Sequence, residues 1–547
     1  MIAEPLLAAA QAWLADDPDP VTRAELAALL APDGDHRQLA RRFAGRLQFG
    51  TAGLRGPLGA GPMAMNRVTV RRAAAGFARY LLDTVPGAAR AGVVIGYDAR
   101  RQSDVFALDS AAVFAGAGFT VHLLTRSLPT PVVAFAIGSL GACAGVMVTA
   151  SHNPPADNGY KVYLADGSQI VPPQDVDIAA RIDAVGALST VPMVDPEHDR
   201  KVHRGGAEVI DAYVAHAVAA RLVGTALPAV SVAYTALHGV GADVIDAVFA
   251  AVGYAPVHHV VEQRRPDGRF PTVSFPNPEE PGAMDLLLAE AARVDADLAL
   301  ANDPDADRLG VAIPTSTSAG ASTSAGVGGW RALTGDEIGA LIADHVLAHT
   351  SGADRLVVTT FVSSTLLAVM AADAGVHYAE TPTGFKWIAQ AIRDHPDQRF
   401  VFGYEQALGY LVSDAPRDKD GITAAVVVTE IAALAKRDGV TIEQRLDDIA
   451  HRFGRHRTAE RSVHLDPAAA ARAVARLLSD PPTVVAGRAV VATSEPAPGL
   501  LRLSLDAGAR VQARPSGTEP KVKVYAEAID ADPVPLAEAL AALLAAG

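Results

Sequence analysis

Cysteine is nearly missing from this chain. Cys143 stands alone, so neither an internal disulfide framework nor a cysteine-based zinc site can be built, and the composition suits a reducing cytosol. Excess positive charge is missing as well. The 47 Lys and Arg residues face 61 Asp and Glu, for a formal net charge of −14, which argues against nucleic acid and anionic membranes as main partners. No basic leader opens the chain, and Asp16 and Asp17 come early, so no secretory signal is expected. The uncharged stretch 128–151 is interrupted by Pro129, Pro131, Gly138, Gly141 and Gly145. It reads as a helix, a glycine break and a buried strand rather than a membrane span. A soluble, cytoplasmic protein is expected. Nucleotide and hydrolase signatures are absent too: there is no Gly-x4-Gly-Lys-Ser/Thr loop, no kinase set and no Gly-x-Ser-x-Gly nucleophile elbow. The run Gly59-Ala60-Gly61-Pro62-Met63-Ala64 lacks the preceding strand and following helix that a dinucleotide fingerprint needs.

Half the residues are hydrophobic and a fifth are charged, an ordinary globular balance. The 547 residues make room for roughly three to four domains. Leu and Ala at helical spacing mark residues 1–45 as a helical extension. Beyond it, strand-like and helix-like segments alternate. Residues 92–98, 119–124 and 144–150 read as strands, with helices at 104–118 and 131–140 between them. The pattern recurs with strands at 230–237, 256–261 and 297–301 around a helix at 243–252. It recurs again with strands at 355–361 and 399–402 and helices at 335–349 and 366–374. Such alternation builds sheets with parallel strands and helices on their faces. Residues 315–329, nearly all Ser, Thr, Ala and Gly, read as a flexible linker or insertion. The last segment mixes short strands with two Ala/Leu helices, the pattern of a smaller α+β domain. The expected divisions are 1–45, 46–205, 206–314, 315–329, 330–456 and 457–547.

Ligand chemistry in open α/β sheets sits at the carboxyl ends of strands, and three polar loops fall there. The apolar run 146–150 stops at Ser151-His152-Asn153-Pro154-Pro155; a serine on a stiff loop beside a histidine is placed as a nucleophile or phosphoryl carrier would be. Residues 297–301 lead into Asp303-Pro304-Asp305-Ala306-Asp307-Arg308, whose alternate carboxylates can turn onto one hard cation. A calcium-hand loop is excluded, because Arg308 and Pro314 stand where it needs glycine and glutamate. Magnesium, which takes few protein oxygens, suits the spacing better. The third loop is Gly403-Tyr404-Glu405. Two further segments resemble anion cradles: Phe49-Gly50-Thr51-Ala52-Gly53-Leu54-Arg55-Gly56, read as a glycine-rich loop, and Arg514-Pro515-Ser516-Gly517-Thr518-Glu519-Pro520-Lys521. Any one of these taken alone is also an ordinary polar turn. An acceptor serine, a metal loop and a phosphate cradle without a nucleotide site point to moving phosphate within a substrate.

These segments, with Asn158-Gly159-Tyr160-Lys161, Thr381-Pro382-Thr383-Gly384-Phe385-Lys386, Glu405–Gly409 and Lys419-Asp420-Gly421, occur in the order found in the α-D-phosphohexomutases. The chain resembles this phosphoglucomutase/phosphomannomutase superfamily nearly end to end. The resemblance implies an α/β fold of four domains around a central cleft, three of them similar mixed or parallel-sheet units and the last a smaller α+β domain. It makes 46–205 the phosphoserine domain, 206–314 the metal-binding domain, 330–456 the sugar-binding domain and 457–547 the phosphate-binding domain. Ser151 would be the phosphoserine, and it would bind Mg2+ together with Asp303, Asp305 and Asp307. Arg55, His152, Lys161 and Arg308 would surround the transferring phosphoryl, with Thr51 in the adjoining glycine-rich segment also contacting substrate. Thr383, Gly384 and Glu405 would meet the sugar, and Arg514, Ser516, Gly517 and Thr518 the non-reacting phosphate. Lys161, His152 or Lys419 would manage the proton. The implied activity is that of an isomerase exchanging the 1- and 6-phosphates of a hexose through a sugar 1,6-bisphosphate. A phosphopentomutase and a non-catalytic sugar-phosphate binder are the alternatives. Small sugar phosphates would be the partners of a monomer or homodimer. One departure touches the sugar: Ala407 and Gly409 stand where many members carry serine and some histidine.

Overall fold

The computed structural model describes residues 2–50, 52–224, 226–315, 329–516 and 520–546. The expected ligands Thr51, Gly517 and Thr518, and all but the ends of the 315–329 insertion, lie outside the described residues. The chain forms two compact units, Met1–Leu333 with Gly409–Ala433, and Thr334–Leu408 with Leu434–Gly547.

The first unit opens with three helices, Glu4–Asp16, Pro20–Leu30 and His36–Arg42. Asp19 and Asp35 start the second and third by accepting hydrogen bonds from backbone amides of the first turn. Trp13, Leu26, Leu29 and Leu39 bury against Ala60, Val68 and Leu188. A six-stranded sheet follows, in spatial order Leu54–Pro57, Asp157–Leu164, Ala144–Val148, Val93–Tyr97, Val121–Leu124 and Val202–Gly205. Its inner strands Val93–Tyr97 and Ala144–Val148 pair in parallel and are apolar throughout, as strands covered on both faces must be. Their small residues admit the helix Thr130–Ser139: a Cβ on Gly96 or Gly145 would meet Val133 or Ile137 at 2.4 Å. That helix and the strand Ala144–Val148 divide the uncharged stretch as expected. No described helix is long and apolar enough to cross a membrane.

The sheet is mixed where the candidate chemistry lies. Past Ser151 the chain returns as Asp157–Leu164, antiparallel to Ala144–Val148, with Lys161 opposite Met147. Leu54–Pro57 adds antiparallel to that strand, with Arg55 opposite Gly159. The expectation that Phe49–Gly56 is entirely loop is therefore corrected. Leu54 is buried in the core, and ladder hydrogen bonds satisfy the backbone that a glycine-rich loop would leave to an anion. The second sheet runs Trp330–Ala332, Leu309–Pro314, Leu298–Asn302, Val232–Thr235, His258–His259. Leu298–Asn302 and Leu309–Pro314 pair antiparallel with Asn302 opposite Leu309, so Asp303–Arg308 is the turn of a hairpin.

In the second unit, Arg355–Thr360 pairs in parallel with His377–Thr381 and Arg399–Glu405. The helix Gly335–His349 begins at a capping box: Glu337 N–H donates to Thr334 Oγ1, and Thr334 N–H to Glu337 Oε2. The last sheet is antiparallel, in the order His456–His464, Lys521–Ile529, Arg510–Pro515, Leu501–Leu505, Arg488–Ser494, Val484–Val485. Leu501, Leu503 and Leu505 alternate inward onto a core shared with the helices Pro467–Ser479 and Val534–Ala545.

Candidate active site

Within the first unit the serine loop and the aspartate turn meet. Ser151, with a left-handed φ of 51°, donates from Oγ to Asp303 Oδ2 at 3.0 Å. His152 Nδ1 lies 3.1 Å from the same Oγ. Asp303, Asp305 and Asp307 are fully buried, and one carboxylate oxygen from each lies within 4.8 Å of the others. Residues separated by about 150 positions thus share one cluster, because two strands of different sheets end at the same place.

Three buried carboxylates repel one another and lose hydration, so cations must compensate. Lys161 Nζ donates to Asp305 Oδ2 at 2.8 Å and to Asp307 Oδ2 at 3.0 Å. Lys419 Nζ lies 2.9 Å from Asp307 Oδ2. Thr130 donates to Asp305 Oδ2 at 2.6 Å. Arg308 N–H donates to Asp303 Oδ1 at 3.0 Å, and Arg55 Nη1 donates to Asn153 Oδ1 at 3.1 Å beside the serine loop. The titration behaviour follows from these neighbours. Burial, then the charges of Asp305 and Asp307, push Asp303 well above the usual carboxylate range. Burial also acts to raise Asp305, but Lys161, Thr130 and Lys419 outweigh it and leave that carboxyl below its ordinary value. Desolvation would discharge Lys161 and Lys419, yet the aspartates raise both. Burial, then the cations Arg308 and Arg55, hold the His152 imidazole well below its ordinary value.

The donor set fits a small hard cation. Asp305 Oδ1 and Asp307 Oδ1 are buried with no hydrogen-bond partner among the described residues, although orphaned buried oxygens are costly. Two such oxygens, Asp303 and a serine oxygen make an oxygen-only set with positions left over, as magnesium prefers.

Lys419 arrives from the segment that joins this unit from far along the chain. Asp420 anchors it: its Oδ1 accepts from Ile422 N–H and Thr423 N–H at a helix start, and both its oxygens accept from Tyr213 Oη at 2.8 Å. Gly421 is required by contact, since a Cβ there would lie 2.3 Å from Arg308 O. The sequence reading missed Thr130, Asp98 and Arg100. Thr130 lies in a stretch with no polar pattern. Asp98 and Arg100 stand at the end of a buried strand, the position that singled out Ser151, and the same reasoning applied there would have found them.

The remaining candidates lie in the second unit. Glu405 ends its strand 8% exposed, and its Oε1 accepts from Gly384 N–H at 2.6 Å. Thr383 stands half-buried next to Gly384. Arg514 pairs in register with Lys523, and its Nε is buried with no partner among the described residues. Ser516 N–H donates to Lys521 O at 2.8 Å.

A carboxylate cluster able to hold a metal, set against a serine at a strand end, is an arrangement suited to phosphoryl transfer. Family models describing phosphoglucomutase/phosphomannomutase alpha/beta/alpha domains I, II and III match residues 46–188, 211–316 and 334–453, and the model of the C-terminal domain matches 466–541. A protein named probable phosphomannomutase from Haemophilus influenzae is 41% identical over 483 residues, covering 86% of this chain and 94% of its own. One named probable phosphoribomutase from Schizosaccharomyces pombe is 36% identical over 458 residues, covering 82% and 76%. The crystal structure of a phosphoglucomutase/phosphomannomutase family protein from Burkholderia thailandensis superimposes with a TM-score of 0.69 at 21% identity, covering 91% of this chain and 97% of that one, a likeness of fold. The chain belongs to the phosphoglucomutase/phosphomannomutase family. It is a phosphomutase, an isomerase that transfers phosphate within a sugar.

Proposed function

We propose that this phosphomutase interconverts the 1- and 6-phosphates of a hexose, glucose or mannose, through phospho-Ser151 and a hexose 1,6-bisphosphate. The observation that carries the reading is Ser151 Oγ at 3.0 Å from Asp303, inside the buried carboxylate cluster. In the first transfer the bond between phosphorus and Ser151 Oγ breaks as one forms to the free sugar hydroxyl. The hydroxyl proton leaves to a base, and the serine oxygen is restored. The bisphosphate then turns end for end, and its other phosphoryl returns to Ser151. His152, whose Nδ1 lies 3.1 Å from Ser151 Oγ, serves the serine proton. Lys161 and Lys419, engaged with Asp305 and Asp307, act as fixed positive charge. A magnesium ion held by Asp303, Asp305, Asp307 and a serine-borne oxygen would neutralise charge building on the phosphoryl group. Arg55 and Arg308 supply more of the same stabilisation, which phosphoryl transfer needs above covalent help. Glu405, Thr383 and Gly384 bind sugar hydroxyls, and Arg514 and Ser516 bind the phosphate that does not react.

A second reading, a phosphopentomutase, is favoured by two observations. One is the 36% identical relative named for ribose. The other is Ala407, which brings no hydroxyl to the loop after Glu405. Turnover of glucose 1-phosphate, mannose 1-phosphate and ribose 1-phosphate, each with its bisphosphate primer, separates the two. The hexose reading expects kcat/KM for a hexose at least about tenfold above ribose, and a ribose preference replaces it with the second.

A further inference from the structure

The serine loop is held from behind by a buried ion pair that the proposed chemistry does not use. Arg100 and Asp98 lie in the turn after the strand Val93–Tyr97, their side chains 1% exposed, with Arg100 Nε 3.5 Å from Asp98 Oδ2. Arg100 Nη2 donates to Ser151 O at 2.6 Å and to Asn153 O. Its Nη1 donates to Pro154 O at 2.9 Å and to Asp157 O at 3.1 Å. One guanidinium therefore gathers four carbonyls of the loop. Asp98 holds the other side: its Oδ2 accepts from Thr149 Oγ1 at 2.6 Å, and Thr149 Oγ1 accepts from Ser151 N–H at 2.8 Å. Both backbone polar groups of Ser151 are thus tied to the same pair, directly at the carbonyl and through one hydroxyl at the amide. Its hydroxyl partners are His152 and Asp303.

The restraint matches a local cost. Ser151 sits at φ 51°, a left-handed conformation that a residue with a Cβ keeps only when its surroundings enforce it. A planar guanidinium with two forked nitrogens can span four carbonyls, which the point charge of a lysine cannot. The clamp is itself clamped. The Phe270 ring lies 4.9 Å from the Arg100 guanidinium carbon, and a Cβ on Gly268 would stand 2.7 Å from Ala99 O and 2.8 Å from Arg100 Cα.

We propose that Arg100, working with Asp98, is the positioning residue of the phosphoryl-transfer step, holding the Ser151 backbone in the conformation that aims its hydroxyl at the carboxylate cluster. The proposal rests on Ser151 as the phosphoryl carrier. The test measures kcat and KM on the full chain with Mg2+, a hexose 1-phosphate and its 1,6-bisphosphate primer. The variants are Arg100→Lys, Thr149→Val and Ser151→Ala, each with a melting curve to establish folding. Arg100→Lys keeps the charge but not the fork, and Thr149→Val keeps volume while removing the hydroxyl link. Each should lower kcat about ten- to hundredfold while KM stays within about twofold. A folded Arg100→Lys or Thr149→Val enzyme with kcat within twofold of the parent overturns the clamp, as does a loss carried by KM alone. If Arg100→Lys does not fold, Thr149→Val decides. An active Ser151→Ala enzyme defeats the carrier reading itself, whereas an inactive one beside a normal Arg100→Lys defeats only the positioning role.

Discussion

The Ser151 loop and the Glu405 loop make a matched pair. Each follows the end of a parallel strand, and each contains a non-glycine residue in the left-handed region, Ser151 at φ 51° and Leu408 at φ 61°. They are anchored differently. The Ser151 loop hangs on Arg100 and Asp98, and its hydroxyl faces His152 and Asp303. The Glu405 loop is held by neutral groups: Thr359 Oγ1 donates to Tyr404 O, Gln406 N–H donates to Ser363 Oγ, and Ser363 Oγ donates to Gln406 Oε1. In the proposed function the Ser151 loop would carry a phosphoryl group near a divalent ion, where charge-assisted hydrogen bonds hold a loop better. The Glu405 loop would meet neutral hydroxyls, which need only geometry.

This contrast predicts unequal damage. Ser151→Ala should give the largest effect, lowering turnover at least about 10³-fold and abolishing serine-borne phosphate in intact-mass measurements; activity near the parent level would break the comparison at its root. Lys161→Met comes next. It leaves Asp305 buried without its ammonium and Asp307 with that of Lys419 alone, which should cost about 3–5 kcal/mol of stability in chelator and less in millimolar Mg2+. Urea melts with and without metal test this, and a loss under about 1 kcal/mol in chelator would contradict the charge balance described above.

The second unit keeps its buried charges elsewhere, and they give a pH signature. Asp336 accepts from Ser364 N–H, Tyr404 Oη and Thr458 Oγ1, and burial pushes its carboxyl up from 3.8 to about 6. A raised acid binds more protons folded than unfolded between those values. Stability of this unit should therefore fall as pH rises from about 4 to 6, by up to about 1.4 kcal/mol per pH unit. Glu527 has the opposite sign. Burial opposes its ionisation, but His456, Arg510 and Ser364 lower it from 4.5 to about 2, so its contribution is present above 4.5 and is lost as pH falls towards 2. Hydrogen exchange at the Ser364 amide across pH 4–6 reads the first effect, and Asp336→Asn should flatten it; an unchanged slope in the variant assigns the titration to another group. The smallest effect is expected for Ser363→Ala, about 1 kcal/mol for neutral hydrogen bonds lost at the Glu405 loop. A loss as large as that of Lys161→Met would erase the distinction between the two anchors.

Much of the candidate site could be read in the chain because apolar strands ending in polar residues are a local pattern. Ser151 and Asp303 follow such strands, and Glu405 ends one. Arg55 could be read as a residue type but not as a strand residue, since the glycines around it describe a loop equally well until an antiparallel neighbour arrives. Thr130 was invisible as a site residue, and the strand-end position of Arg100 marks it as a candidate without showing what it holds. Their importance lies in partners 175 and about 51–57 positions away.

What the linear order determined is the family, the succession of α/β units and which loops are candidates for the chemistry, because these depend on periodicity and on motifs spanning a few residues. What only the folded chain decided is how those loops are electrically balanced. Lys161 and Lys419 lie far apart in the chain and in different family segments, yet both ammonium groups meet Asp307 Oδ2 at 3.0 and 2.9 Å. The physical reason is that buried ions offset their desolvation only through hydrogen-bonded contact, and contact at a few ångströms is set by packing rather than by position along the chain.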